Sequence, residues 1–348
     1  MIIYLLAFLT AFFITLYLTP KVIAFAKKIG ATDQPSERKI HKVPIPRLGG
    51  MAIFGGLAIA ICLTLLYGKL FHTHIDQKLI HGIFYGSLIV FLIGVVDDFH
   101  SLPAWFKLVG QVVAALVTIH YKVEISFFGN PWGGIVELGF WTLPITVFWL
   151  VGVTNATNLI DGLDGLASGV ISIASIALFV VALRTHQIES AIFLIALSGA
   201  TLGFLRYNFF PAKIFLGDSG SYTLGFVLAA ATIAGVLKTT LVVALVLPFL
   251  ILGVPIYDTA SAIYRRIKHK RPVFQPDKEH LHHGLLSAGF SQRESVLIIY
   301  LGCVLLSMAA LASTILGMKQ GIIVLFFIVT ALFVAISKMR ETNRNDQN

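Results

Sequence analysis

The sequence predicts an all-α polytopic membrane protein of about eleven transmembrane helices, and three observations carry that expectation. First, its 348 residues are 57% hydrophobic and only 12% charged, with a mean hydropathy of +0.87, whereas soluble domains are about 25% charged. Second, apolar runs recur throughout, many close to the roughly 20 residues a helix needs to cross a hydrocarbon core. Third, Lys and Arg are distributed unevenly between alternate connecting loops. No tandem repeat or domain boundary interrupts the pattern, so residues 1–348 read as one integral membrane domain.

Spans are expected at 2–19, 48–67, 80–96, 103–120, 141–154, 167–183, 190–205, 221–237, 241–262, 295–315 and 321–337. The fifth is short, so the loop after it is expected slightly inside the membrane plane. Met1 to Thr19 lacks a basic n-region and an A-x-A-like cleavage site, and reads as a retained span. Cys62 and Cys303 lie inside apolar runs, where a free thiol is a small hydrophobe, and no disulfide or zinc framework follows. The loops after odd-numbered spans, with the C-terminal tail, hold 20 of the 26 Lys and Arg. The positive-inside rule makes these loops cytoplasmic, with the N-terminus outside and the C-terminus inside. The net charge of +9 is then this bias plus attraction to anionic headgroups, not a nucleic-acid signature.

The first cytoplasmic loop, D-Q-P-S-E-R-K-I-H-K-V-P-I-P-R-L-G-G (33–50), is either an interfacial polybasic loop or a phosphate clamp. The clamp would use Arg38, Lys39, His41 and Arg47, near Gly49 and Gly50. Span three ends G-V-V-D-D-F, and adjacent carboxylates at a membrane boundary repel unless a proton or cation separates them. Asp97 and Asp98 are tolerable on a solvated helix end, but ionisable groups at membrane depth are functional candidates by default. Lys107, just inside span four, can snorkel to the interface or reach a phosphate. Residues 122–140 alternate apolar and polar around a Gly-Asn-Pro turn, which suggests a short external β-hairpin. Trp132, Trp141 and Trp149 read as interfacial or packing aromatics.

After span five comes T-N-A-T-N-L-I-D-G-L-D-G-L (154–166), where amides and carboxylates follow an apolar run and Gly162 and Gly165 permit a sharp turn. Such a loop can hold a polar guest, or merely cap a helix. After span seven, R-Y-N-F-F-P-A-K-I-F-L-G-D-S-G-S (206–221) carries Asn208, Lys213, Phe215 and Asp218. Asp218 either caps span eight or holds Mg²⁺, which takes one or two protein carboxylates. Span nine is bent by Pro248 and Pro255 and leads to the most basic loop, with Arg265, Arg266, Lys268, Lys270 and Arg271. His280, His282 and His283 there lack a cysteine or clear fourth partner for zinc, so recognition of an anionic ligand fits better.

Asp97, Asp98, Asn155, Asn158, Asp161, Asp164 and Asp218 come from three loops that parity places on one face, together with both basic loops. Acids ringed by Lys, Arg and His suit a Mg²⁺ diphosphate, because phosphoryl transfer rests on positioning and charge neutralisation. The competing class is a secondary transporter using these acids as ion sites. Transporters place such groups near mid-membrane on broken helices, often within repeats, whereas these cluster at span ends.

D-D-F-x(7)-K, N-A-T-N-L-I-D-G-L-D-G-L, F-L-G-D-S-G-S and D-K-E-H-L-H-H together resemble the polyprenyl-phosphate N-acetylhexosamine-1-phosphate transferases of the glycosyltransferase 4 type. The likeness runs from P-R-L-G-G to the tenth span. The span count and the basic loop are similar to the WecA/TagO branch, with the MraY-like phospho-MurNAc-pentapeptide transferases second. The resemblance implies transfer of GlcNAc-1-phosphate from UDP-GlcNAc to undecaprenyl phosphate, releasing UMP. It implies Mg²⁺, with Mn²⁺ as a substitute ion, in a cleft at the cytoplasmic face of a bacterial inner membrane. The product would feed teichoic acid or O-antigen synthesis. By the same resemblance Asp218 holds the metal, with Asn158 beside it, Asp97 deprotonates or orients the lipid phosphate, and Asp98, Lys107 and Asp161 assist. Phe215, Leu163, Asp164 and Asn208 form the uridine pocket. Arg47, Arg265, Arg266, Arg271, His280, His282 and His283 face the sugar and phosphates. Dimers are common among the proteins it resembles, though no residue here marks a contact surface.

Overall fold

Long apolar runs become long helices. The computed structural model describes residues 1–34, 43–129, 134–235 and 281–316, with scattered positions between 252 and 264 and at 320, 323, 324 and 330. In chain order the helices are α1 (Ile2–Lys28), α2 (Gly49–Leu70), α3 (Gln77–His100), α4 (Ala104–His120), α5 (Thr142–Ile160), α6 (Leu166–Arg184), α7 (Ile188–Asn208) and α8 (Gly217–Ala234). They are followed by α9 (Leu281–Ser287) and α10 (Gln292–Leu316). Among the described residues seven helices are long and apolar enough to cross a membrane, and α4 is a shorter apolar helix. Helices thus occupy expected spans one to eight and ten. Spans nine and eleven lie almost wholly outside the described residues, as do Arg38, Lys39, His41, Arg265, Arg266, Arg271 and His280.

Several helices overrun their expected ends. The helix α1 continues through Pro20 to a last turn holding Lys27 and Lys28, where cations complement the helix dipole. Asp97 and Asp98 fall inside α3, and Asn155 and Asn158 fall inside α5 rather than in a loop. Their side chains find partners on neighbouring helices, so the backbone has no reason to leave the helix.

The centre of the fold is α8, in which every residue from Ser219 to Ala234 is buried. A helix that is apolar or small all round belongs inside a bundle, and α2, α3, α5, α6 and α7 surround it. On the outside α1 packs against α7 and α2, α4 against α3 and α5, and α10 against α6. The α1–α7 approach is close: a Cβ at Gly199 or Gly203 would sit 2.4 or 2.5 Å from the carbonyl oxygens of Phe8 and Phe12. Small residues four apart allow helix backbones to meet in this way.

Two short ribbons complete the described chain. Strands β1 (Thr32–Asp33) and β2 (Ile45–Pro46) pair antiparallel, with Thr32 opposite Pro46. Strands β3 (Phe127–Gly129) and β4 (Ile135–Glu137) pair with Phe128 opposite Val136. The first ribbon is also stitched to the segment before α8. Phe215 N–H donates to the Pro46 carbonyl at 2.7 Å, and Gly49 and Gly50 N–H donate to the carbonyls of Phe215 and Leu216 at 3.1 and 3.0 Å.

Candidate active site

The site is built around the N-terminus of α8. Its first N–H groups need acceptors, and the acceptor comes from another helix. Asp98 Oδ1 accepts from Asp218 N–H at 2.7 Å, while Oδ2 accepts from Ser219 N–H at 3.2 Å and Ser219 O–H at 2.6 Å. The Asp98 carboxylate, only 6% exposed, is therefore a cap supplied by α3. Gly217 makes the approach possible: its φ is +74°, and a Cβ there would lie 2.7 Å from both the Arg47 carbonyl and the Asp98 carboxylate.

With the cap supplied from outside, Asp218 is released from that duty. Its Oδ1 accepts from Asn158 Nδ2 at 2.7 Å, and its Oδ2 lies 3.7 Å from Lys107 Nζ. Asn158 Nδ2 also donates to Ser221 Oγ at 2.9 Å. Lys107 Nζ sits 2.8 Å from Asp97 Oδ2, while Asp97 Oδ1 accepts from Leu102 N–H. Lys107 Nζ therefore stands between the carboxyls of Asp97 and Asp218. Acids from the ends of α3 and α8 and an amide from the end of α5 thus converge, as the loop parity in the sequence requires.

The turn after α5 adds further acids. Asp161 is half-buried, and its carboxyl is pushed up to about 8, first by burial and then by the charges of Asp218, Asp98 and Asp164. Asp164 Oδ2 accepts from Ala212 N–H at 2.9 Å, tying this turn to the segment after α7. Gly165, with φ +79°, starts α6. Asn208 is 3% exposed and braces the same segment: its Oδ1 accepts from Ser168 O–H at 2.9 Å and its Nδ2 donates to the Ile214 carbonyl at 3.0 Å.

These elements enclose a cavity of about 980 Å³. Of the residues anticipated from sequence, Arg47, Asn158, Asp161, Leu163, Asp164, Asn208, Phe215 and Asp218 line it. Asp97, Asp98 and Lys107 stand outside that wall and reach it through Asp218. Asn155 turns elsewhere, its Nδ2 donating to Gln111 Oε1 at 2.6 Å and to the Val151 carbonyl at 2.8 Å. His282 and His283 lie in α9, and their side chains are outside the described residues.

Sequence reasoning missed Asp33, Leu286 and Gln292 on the wall. Asp33 pairs with Arg47 at 3.6 Å across the first ribbon, a contact no local pattern announces. Gln292 did leave a trace, because S-Q-R-E at 291–294 is a capping box opening α10.

Among the described residues no group of three or more His, Cys, Asp or Glu is arranged to hold a metal ion. Mg²⁺ requires fewer, since phosphates and water complete its shell. The donor set fits that pattern: Asp218 opens onto the cavity with its side chain 31% exposed, next to Asp97 and Asp161, and Lys107 offsets only part of the accumulated charge.

Residues 80–236, which span α3 to α8, match the model of glycosyl transferase family 4. The chain is 41% identical over 306 residues to a probable undecaprenyl-phosphate N-acetylglucosaminyl 1-phosphate transferase of Bacillus subtilis, covering 88% of this chain and 83% of that protein. It is 39% identical over 332 residues to a decaprenyl-phosphate N-acetylglucosaminephosphotransferase of Mycobacterium tuberculosis, covering 88% and 81%. A phospho-N-acetylmuramoyl-pentapeptide-transferase of Desulforudis audaxviator is 34% identical over 331 residues, covering 87% and 95%.

Proposed function

This chain belongs to glycosyl transferase family 4, and on that premise we propose that it transfers GlcNAc-1-phosphate from UDP-GlcNAc to undecaprenyl phosphate. The products are UMP and undecaprenyl-diphosphate-GlcNAc. The observation that carries the reading is the meeting of Asp97, Lys107 and Asp218 beside a cavity large enough for a sugar nucleotide. An oxygen of the lipid phosphate forms the new bond to the phosphorus that bears the sugar, and the bridging bond to UMP breaks. Phosphate second ionisations lie near pH 6, so the acceptor is largely ionised at neutral pH and needs no strong base. Asp97 then serves to hold Lys107, whose ammonium meets the acceptor or diphosphate oxygens.

Asp218 would hold Mg²⁺, with Asn158 fixing the carboxylate's orientation. When bound, the ion supplies neutralisation of the diphosphate charge. Asp161 and Arg47 face the same space, and Phe215, Leu163 and Asp164 offer a ring and a polar edge for uracil. The basic loop from Arg265 to His283 would approach the sugar. Positive-inside bias supports a cytoplasmic site in a bacterial inner membrane, with the β3–β4 ribbon outside and the C-terminus inside. A homodimer remains part of the reading through the resemblance alone.

The test is incubation of purified protein with radiolabelled UDP-GlcNAc, undecaprenyl phosphate and Mg²⁺. Label should pass into the organic phase, with release of UMP. The 34% identity to a pentapeptide transferase supports a second reading, in which UDP-MurNAc-pentapeptide is the donor. Label from that donor alone would select it, and no transfer from either would sink the family chemistry here.

A further inference from the structure

Three side-chain amides line the cavity, those of Asn158, Asn208 and Gln292. Two are committed within the protein: Asn158 spends its nitrogen on Asp218 and Ser221, and Asn208 bonds Ser168 and the Ile214 carbonyl. The amide of Gln292 has no hydrogen-bond partner among the described residues. An amide offers two donors and an acceptor, and one left facing a cavity is available to a ligand.

The position of Gln292 is fixed from both sides. Ser291 N–H and O–H donate to Glu294 Oε2 at 2.8 and 2.7 Å, and Glu294 N–H donates back to Ser291 Oγ at 3.3 Å. This capping box makes Gln292 the first residue of α10. Phe290 and Leu285, each 6% exposed, anchor the corner just before it. Further along α10, the Tyr300 hydroxyl donates to the Gly165 carbonyl and ties the helix to the turn that carries Asp161 and Asp164. The corner fixes the point from which the side chain reaches into the cavity, while its amide stays free to turn towards a ligand.

A neutral amide is poorly matched to phosphate, which charged donors such as Arg47 and Lys107 serve better. Its complement is another neutral group that both donates and accepts. Leu163, Asp164 and Phe215 already provide for a nucleobase. We propose that Gln292 recognises the 2-acetamido group of the donor sugar, pairing with its N–H and C=O. This inference rests on the donor being a UDP-N-acetylhexosamine, as proposed above.

Equilibrium binding of UDP-GlcNAc, UDP-glucose and UMP to the full chain in detergent with Mg²⁺ tests it. The variants are Gln292→Leu, which keeps the bulk, and Gln292→Ala. Both should weaken UDP-GlcNAc binding about tenfold, the scale of one or two neutral hydrogen bonds. Both should leave UMP and UDP-glucose binding within about twofold of wild type, which also shows that the fold persists. Unchanged UDP-GlcNAc binding, or equal losses for all three ligands, would overturn the proposal. A wild-type protein that transfers no label yet shows the selective loss would refute the reaction and leave the sugar contact standing.

Discussion

Asp98 and Asp218 lie at the same helix terminus, yet their environments assign them opposite duties. Asp98 accepts three hydrogen bonds from the start of α8 and is almost wholly buried, whereas Asp218 opens onto the cavity. Asp98→Asn should therefore be mainly a stability variant. An amide can accept through only one oxygen and turns an NH₂ group towards the Ser219 donors, at a cost of about 1–3 kcal/mol. The measurement is thermal unfolding in detergent. An unchanged melting temperature with activity lost would instead make Asp98 a direct participant. Asp218→Asn should behave conversely. Its melting temperature should stay near wild type while Mg²⁺-dependent transfer falls more than about a hundredfold, on the scale of losing a key electrostatic group. Substantial transfer by that variant would remove Asp218 as the metal carboxylate.

Continuous apolar runs made the helices legible, because each run had to satisfy its own backbone inside a bilayer. Their ends were harder to read: Asn155 and Asn158 look like loop residues until Gln111 and Asp218 give them partners across helix boundaries. The β1–β2 ribbon was invisible for a related reason. Strands of two residues have no period, and the ribbon's support comes from residues 215 and 216, remote in sequence. Among site residues, the acids announced themselves by their improbability in an apolar chain, while Gln292 looked ordinary. The α6–α10 contact belongs to this concealed set. Gly169 leaves space for the Tyr300 ring, whose hydroxyl would lie 2.0 Å from a Cβ at that position, and Tyr300 then reaches Gly165. Tyr300→Phe should fold normally but loosen α10 against the substrate turn. A several-fold rise in KM for UDP-GlcNAc with kcat little changed is expected, since a neutral hydrogen bond is worth about 0.5–1.5 kcal/mol. Steady-state kinetics would show it, and a fall in kcat alone would place Tyr300 in the chemistry instead.

Across the molecule, α3, α5 and α7 all end at the site, and α8 begins there. Consecutive spans must alternate in direction, so helices of odd number deliver their C-termini to one face while the connections after α2, α4 and α6 gather at the other. Charge follows the same alternation over the whole sequence: the loops after odd-numbered spans and the tail hold 20 of the 26 Lys and Arg, most of them at 20–47 and 264–294, against Lys69, Lys78, Lys122, Arg184, Lys238 and Lys319 elsewhere. Geometry and charge bias are independent, and together they predict a cytoplasmic cavity. Lys213 is exposed on the segment before α8, and the Lys122 side chain is 76% exposed at the far end of α4. In intact cells a membrane-impermeant maleimide should therefore label Lys122→Cys and spare Lys213→Cys until the membrane is opened. The reverse pattern would put the cavity outside, away from any cytoplasmic pool of sugar nucleotide. It would also require the 20 Lys and Arg of the loops expected to be cytoplasmic to lie on the translocated face, against the bias that normally sets topology.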